Sequence, residues 1–208
     1  MRVAVVVFEG FDELDAIGPL EVLRNAAAMG ADGLSVDLVA LDGAAEVTGD
    51  HGLRVRTDGP LDREGTDLLV IPGGGWNDRG ASGAWAEAER GDLPAAIAAT
   101  ARGGAVVATV CTGAMLATAA GLTRGRPAVT HHDAIDDLRA AGAEVVEARV
   151  VDDGDLVTAG GVTSGIDMAL WLVERHFGAE LADAVAADIE HPRVGEVWRA
   201  TPAPPPGR

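Results

Sequence analysis

The chain carries one cysteine among its 208 residues, and it stands where a β-branched run meets a run of small residues. In Ala105-Val-Val-Ala-Thr-Val-Cys111-Thr112-Gly113-Ala114 no loop separates the two runs, so Cys111 falls on a tight strand-to-helix turn. A nucleophile on such an elbow points outward, with the N–H groups of the next helix directed at the site. The dipole and free amides at the start of that helix are expected to lower the thiol pKa and favour the nucleophilic thiolate. The plain alternative is a small core hydrophobe, because free cysteine is among the most buried residue types. The turn, and the lack of a second cysteine for a disulfide, favour a functional thiol.

Three further groups of residues offer partners. Pro72-Gly73-Gly74-Gly75 follows an apolar run, and glycines there let backbone amides approach a ligand closely. An amide of Gly74 with the N–H of Thr112 would make a two-donor oxyanion pocket; an ordinary turn is the alternative. No Gly-Lys-Ser/Thr follows, so this is not a Walker loop. Asp12, Glu13 and Asp15 precede Gly18-Pro19, and Asp15 is either a helix-capping or first-turn acid or a carboxyl that exchanges a proton with substrate. The residues alone leave both readings open. His131-His132 could form a Cys–His pair, although a hydrogen-bonded loop role is the simpler reading and no metal-ligand spacing with Cys111 is recognisable. Trp76 and Trp85 flank the glycine loop, either walling a pocket or simply packing.

The elements that must position these residues alternate along the chain. Arg2–Phe8, Leu34–Leu41, Asp67–Ile71 and Ala105–Val110 read as buried strands, and Glu46–Thr57 as a hairpin about Gly49-Asp50. Pro19 is expected to open a helix over Leu20–Met29, closed by Gly30. Further helices are expected over Asp92–Arg102, Gly113–Ala120 and Asp133–Ala141, the last capped by Asp133. Ala128–Thr130, Glu144–Val151 and Leu156–Ala159 read as strands, the last two joined at Asp153-Gly154. A long helix begins at Thr163 or Ser164 and runs to about His176, and another runs from Gly178 to about Glu190. Such alternation predicts an α/β fold: a mostly parallel sheet with helices on both faces and the ligand site outside the carboxyl ends of the strands. One domain is expected over residues 1–192, with a proline-rich tail over 193–208 whose last part, Thr201–Arg208, is extended or mobile.

Composition narrows the partners. The chain is 48% hydrophobic and 24% charged, with a net charge of -17 and no lysine. So acidic a surface repels phosphate backbones and anionic membranes, which argues against nucleic acid and membrane partners. No stretch reaches the roughly 18 apolar residues of a membrane span, the start does not read as a signal peptide, and one unpaired cysteine suits a reducing compartment. A cytoplasmic location is expected.

From Val3 to about Glu190 the chain resembles the DJ-1/PfpI superfamily. The resemblance rests on Phe8-Glu9-Gly10-Phe11 with Leu14-Asp15 and Gly18-Pro19, on Ile71-Pro72-Gly73-Gly74-Gly75, and on Val110-Cys111-Thr112-Gly113-Ala114. It continues through Thr130-His131-His132 and Thr158-Ala159-Gly160-Gly161-Val162-Thr163-Ser164-Gly165-Ile166-Asp167. It implies a flavodoxin-like three-layer sandwich, a homodimer and no cofactor or metal. Within the superfamily the early Leu-Asp…Gly-Pro segment with Cys-Thr-Gly best fits the isocyanide (isonitrile) hydratase branch. That resemblance implies a Cys111 nucleophile, an Asp15 acid/base and Thr112 as a further donor. Gly73, Gly74, Gly113, Ile17 and His132 would line the substrate pocket; hydratases often carry a hydroxyl residue in place of Ile17 and an aromatic one in place of His132. The peptidase branch has histidine where this chain has Thr112, and the glyoxalase/deglycase branch has a glutamate on the first helix. Regulators of similar pattern continue into a helix-turn-helix module, whereas this chain is expected to stop short of one. A glyoxalase- or deglycase-like enzyme, or a cysteine redox sensor or binding module, are the other readings.

Overall fold

The computed structural model describes residues 1–200; the expected extended tail, Thr201–Arg208, lies outside the described residues. In chain order the first half contains β1 (Arg2–Val7), α1 (Glu13–Ala28), β2 (Ser35–Ala40), β3 (Glu46–Thr48), β4 (Arg54–Arg56), β5 (Gly59–Pro60) and β6 (Leu68–Ile71). Then come α2 (Gly83–Arg90), α3 (Asp92–Arg102), β7 (Val106–Val110) and α4 (Gly113–Ala119). The second half adds β8 (Pro127–Ala128), a 3-10 turn (His132–Ala134), α5 (Ile135–Ala140), β9 (Glu144–Val145), β10 (Val150–Asp152) and β11 (Leu156–Ala159). It ends with α6 (Ser164–Phe177), α7 (Ala179–Asp188) and β12 (Val197–Arg199).

Eight strands form one sheet in the order β12-β10-β11-β7-β6-β1-β2-β5. Every pairing is parallel except β10 with β11, which the tight turn at Asp153-Gly154 makes antiparallel. The central strands are continuous apolar runs, as strands covered on both faces must be: Val5, Val6, Leu68, Val70, Ala108 and Val110 are all fully buried. α1, α6 and α7 pack together, and α2, α3 and α4 form a second group. The architecture is the expected three-layer, flavodoxin-like α/β sandwich. No helix among the described residues is long and apolar enough to cross a membrane.

Three local expectations are corrected. Pro19 does not open the first helix but lies inside it, and α1 starts at Glu13 with Asp12 as its cap, accepting the Leu14 N–H at 3.1 Å. Proline at an interior position forgoes the hydrogen bond to the carbonyl four residues back. Here it falls where α1 crosses α6: a Cβ built on Gly165 would lie 3.3 Å from Pro19 Cγ. Asp133 does not cap the helix after β8; instead His131 Nδ1 accepts the Asp133 N–H and a 3-10 turn intervenes before α5. Glu144–Val151 is not one strand, because β9 pairs with β8 while β10 pairs with β11 and β12. Within the segment read as tail, β12 adds a parallel edge strand beside β10.

Candidate active site

The carboxyl ends of β1, β6, β7 and β11 converge, and the expected elbow is there. Cys111 has φ 55°, a left-handed conformation that costs a non-glycine residue about 1–3 kcal/mol and persists only where the surroundings hold it. They do so from several sides. The Cys111 N–H donates to the carbonyls of Ala159 (3.0 Å) and Gly160 (2.8 Å) at the end of β11. Its own carbonyl accepts the Thr130 hydroxyl at 3.0 Å. Gly165, at the start of α6, packs so close that a Cβ would meet the Val110 methyl carbons at 3.0 and 3.1 Å.

Asp15 sits in the first turn of α1, completely buried, and the glycine loop reaches it. The Gly73 N–H donates to Asp15 Oδ2 at 2.9 Å. Gly73 has no alternative residue: a Cβ there would lie 2.5 Å from the Thr112 nitrogen and 2.8 Å from the Gly113 nitrogen. Its carbonyl accepts the Asp12 N–H at 2.8 Å, so the loop is stitched to the start of α1 from both ends of this one residue. The other carboxyl oxygen of Asp15, Oδ1, is buried without a hydrogen-bond partner.

Burial raises the Asp15 pKa to about 8; the nearby Asp12 charge adds to the rise, and the Gly73 N–H and the Cys111 thiol oppose it. Asp15 is therefore mostly a neutral carboxylic acid at pH 7. The Cys111 thiol, only 6% exposed, is also pushed up, first by burial and then by the Asp15 charge, while the Thr112 N–H and hydroxyl pull it down. This corrects the expectation of a lowered thiol pKa. The donors of the elbow are present, but desolvation and a neighbouring carboxyl outweigh them. The two groups titrate as a pair, and with Asp15 protonated the charge opposing a thiolate is gone.

The expected oxyanion pair is altered too. The Gly74 N–H donates to the Thr112 hydroxyl at 3.0 Å, which links the loop to the elbow and occupies that donor. Gly74 holds φ 114° with its Cα against the start of α1, where a Cβ would sit 2.7 Å from the Gly10 carbonyl oxygen.

Cys111 opens onto a cleft of about 300 Å³ bounded by Gly74–Asp78 on one side, His131 and Asp133 on the other, and Asp12, Asp50, Thr112 and Val162 between. A wider hollow of about 720 Å³ adjoins it at His131 and Val162. His131, not His132, is the histidine in the cleft; His132 faces the hollow with its side chain 79% exposed. Burial and the neighbouring His132 lower the His131 pKa, so its ring is neutral at pH 7. Ile17 is not at the cleft either, because it packs half-buried against the core on α1. Gly113 lies beneath the cleft, packed against the Ile71 and Pro72 carbonyls. Sequence reasoning missed Asp50 and Asp78. Asp50 reaches the cleft because Glu13 pins the β3–β4 tip, accepting the His51 N–H (2.8 Å) and the Leu53 N–H (3.2 Å). The Gly-Asp pair marked a turn but not where the turn would land.

His131, His132 and Asp133 bring three metal-capable atoms within 4.8 Å of one another, but they are consecutive and mostly exposed. The arrangement that can do chemistry is therefore a thiol on a strained elbow with a buried carboxyl beside it, on an α/β sandwich. Residues 1–175 match the DJ-1/PfpI family, and the chain belongs to it. It is 32% identical over 206 residues to an isonitrile hydratase of Pseudomonas putida, covering 99% of this chain and 81% of that one. It is 31% identical over 171 residues to a deglycase of Thermococcus kodakarensis, covering 76% of this chain and 89% of that one. A crystal structure of a THiJ/PfpI family protein from Pseudomonas syringae superposes with TM-score 0.78 at 27% identity, covering 98% of this chain and 76% of that one.

Proposed function

We propose that this chain is an isonitrile hydratase, adding water to R–N≡C to give the N-substituted formamide R–NH–CHO, with Cys111 as nucleophile and Asp15 as acid and base. The observation that carries the reading is the fully buried Asp15 carboxyl in contact with the Cys111 thiol, where burial favours its protonated form. Isocyanide carbon accepts a nucleophile and a proton at the same atom, so the site must hold both side by side. Cys111 sulfur bonds to the terminal carbon while a proton passes through Asp15 to that carbon, giving a thioimidate. Water then adds to this carbon, its protons pass to nitrogen and back to the Cys111–Asp15 pair, and the sulfur leaves as the formamide forms. Thr112 contributes its hydroxyl and N–H to the sulfur. Gly73 and Gly74 position Asp15 and Thr112, and no cofactor or metal takes part.

The resemblance to a deglycase keeps a second reading in view, a glyoxalase- or deglycase-like activity on small aldehydes. Those reactions ask the carboxyl for a base, and an acid with a pKa near 8 is mostly unavailable as one at pH 7. A homodimer in the cytoplasm, acting on a small molecule and not on nucleic acid or membranes, completes the proposal, and sedimentation velocity tests the dimer. The deciding experiment is formamide production from an aryl isocyanide by wild type, Cys111→Ala and Asp15→Asn, with methylglyoxal consumption in parallel. Turnover lost in both variants supports the reading. Methylglyoxal consumption without isocyanide turnover overturns it in favour of the aldehyde reading, and inactivity on both overturns it in favour of a sensing or binding role.

A further inference from the structure

The Cys111 cleft is ringed by carboxylates with no positive counterpart. Asp12, Asp50, Asp78 and Asp133 all line it, and no arginine does among the described residues. Asp12, Asp50 and Asp78 take part in no ion pair among the described residues, and Asp133 pairs only with His131 and His132. Two arginines close by are engaged elsewhere: Arg79, next to Asp78 in the chain, with Asp137 at 2.7 Å, and Arg149, which lines the adjoining hollow, with Asp167 at 2.9 Å. His131 is neutral and cannot offset the ring.

The carboxylates come from four separate segments. Asp12 caps α1, Asp50 is brought in by the Glu13–His51 contact, Asp78 stands on the loop after the glycines, and Asp133 belongs to the 3-10 turn. Their convergence bears on the candidate site because Cys111 itself lines the same cleft. A cleft lined by one sign of charge focuses the field, raising the local concentration of opposite charge and excluding like charge. Trp76 adds an apolar wall whose edge packs on Trp85.

We propose that this ring sets the substrate class of the Cys111 site: molecules reaching the sulfur are cationic or neutral, and carboxylate-, sulfonate- or phosphate-bearing ones are turned away. Within the hydratase reading, on which only the naming of the substrate rests, the preferred isocyanide bears an amine or ammonium group and not an acid.

The test reads the thiol directly, so it holds whether or not the protein hydrates isocyanides. Cys111 is modified with 2-aminoethyl methanethiosulfonate (a cation) or 2-sulfonatoethyl methanethiosulfonate (an anion). In each case the thiolate sulfur displaces methanesulfinate and forms a mixed disulfide. Each rate is divided by that of 2-mercaptoethanol with the same reagent. The normalised cation-to-anion ratio is expected to be about tenfold or more at 0.05 M salt and to fall toward one at 1 M, where screening acts within about 3 Å. Asp50→Asn with Asp78→Asn should cut the low-salt ratio at least threefold, and the remote exposed change Glu180→Gln should leave it alone. A ratio near one at low salt overturns the proposal. A high ratio that the double variant and Glu180→Gln lower equally also overturns it, by assigning the bias to the net charge of -17 instead of the cleft. Paired amino- and carboxy-substituted aryl isocyanides then test the substrate: faster turnover of the amine supports the hydratase form, whereas a charge-selective thiol without turnover fails that reading alone.

Discussion

Replacing Asp15 with asparagine should stabilise the fold at alkaline pH while removing the proposed acid. Asparagine keeps an oxygen for the Gly73 N–H, now at 2.9 Å from Oδ2, and it cannot ionise. In the native chain the carboxyl titrates near 8, against an ordinary value of 3.8. Between those values the unfolded chain has lost this proton and the native chain keeps it. Stability therefore falls as pH rises, with a slope of about -1.4 kcal/mol per pH unit from this one group. The contribution is fully present below about pH 4 and is lost as pH rises through about 8. Across the window it amounts to about 6 kcal/mol, comparable to the whole stability of many domains. Cys111 adds little here, since the thiol stays protonated below pH 8 in both states. The assay is urea unfolding at pH 5, 6, 7 and 8, followed by the fluorescence of the four tryptophans. The wild-type-minus-variant difference should change steadily by several kcal/mol, with Asp15→Asn the more stable at pH 8. Parallel curves for the two proteins would refute the burial argument, because they would mean that Asp15 ionises in the fold as readily as in water.

Two further substitutions probe the supports of the site. Gly73→Ala drives a methyl into the Thr112 and Gly113 amides and should destabilise the protein by about 2–4 kcal/mol, seen as a lower urea midpoint, with isocyanide turnover falling far more than the surviving folded fraction. Asp137 accepts both the Trp76 ring N–H and Arg79 at 2.7 Å, and so clasps one wall of the cleft to the helix beyond the other. Asp137→Ala should raise KM severalfold, leave kcat within about twofold, and lower stability by about 1–3 kcal/mol as two polar partners lose their acceptor.

The elbow was legible because its evidence is local: a strand, a single chemically distinct residue and a helix with nothing between them. Gly73 and Gly74 were legible for the same reason, although which amide serves Asp15 and which serves Thr112 depends on tertiary packing. Pro19 misled because proline usually marks the first turn of a helix, and here it lies two turns in, at the crossing with α6. That error put Asp15 just ahead of the helix, although the reading of it as a first-turn acid matches its place in α1, where it faces the core. The neighbouring histidines could not be told apart, because adjacent residues in a turn point in different directions and only the backbone decides which enters the cleft. The short α2, ending at the same Gly91 that opens α3, and the three-residue β12 carry too little apolar periodicity to stand out. The thiol pKa was misjudged for a deeper reason: the helix terminus is visible in sequence, whereas burial and the distance to Asp15 exist only in the fold.

The proton count of the Cys111–Asp15 pair bears on the choice among its possible chemistries. A peroxide-sensing cysteine works as an exposed thiolate of low pKa, and Cys111 is neither exposed nor easily ionised on its own. An aldehyde-processing site needs a thiolate and then a base to move a carbon-bound proton, which calls for Asp15 in the ionised form that burial disfavours. Isocyanide hydration instead consumes what the pair stores. One proton leaves sulfur as the S–C bond forms, one arrives at carbon from the adjacent carboxyl, and the net charge of the buried pair need never change. Neither ion then has to persist in a desolvated pocket, which is the condition that made both groups resist ionisation in the first place. The same burial that would disable a free-standing thiolate is thus matched to a reaction in which attack and protonation occur together at one carbon.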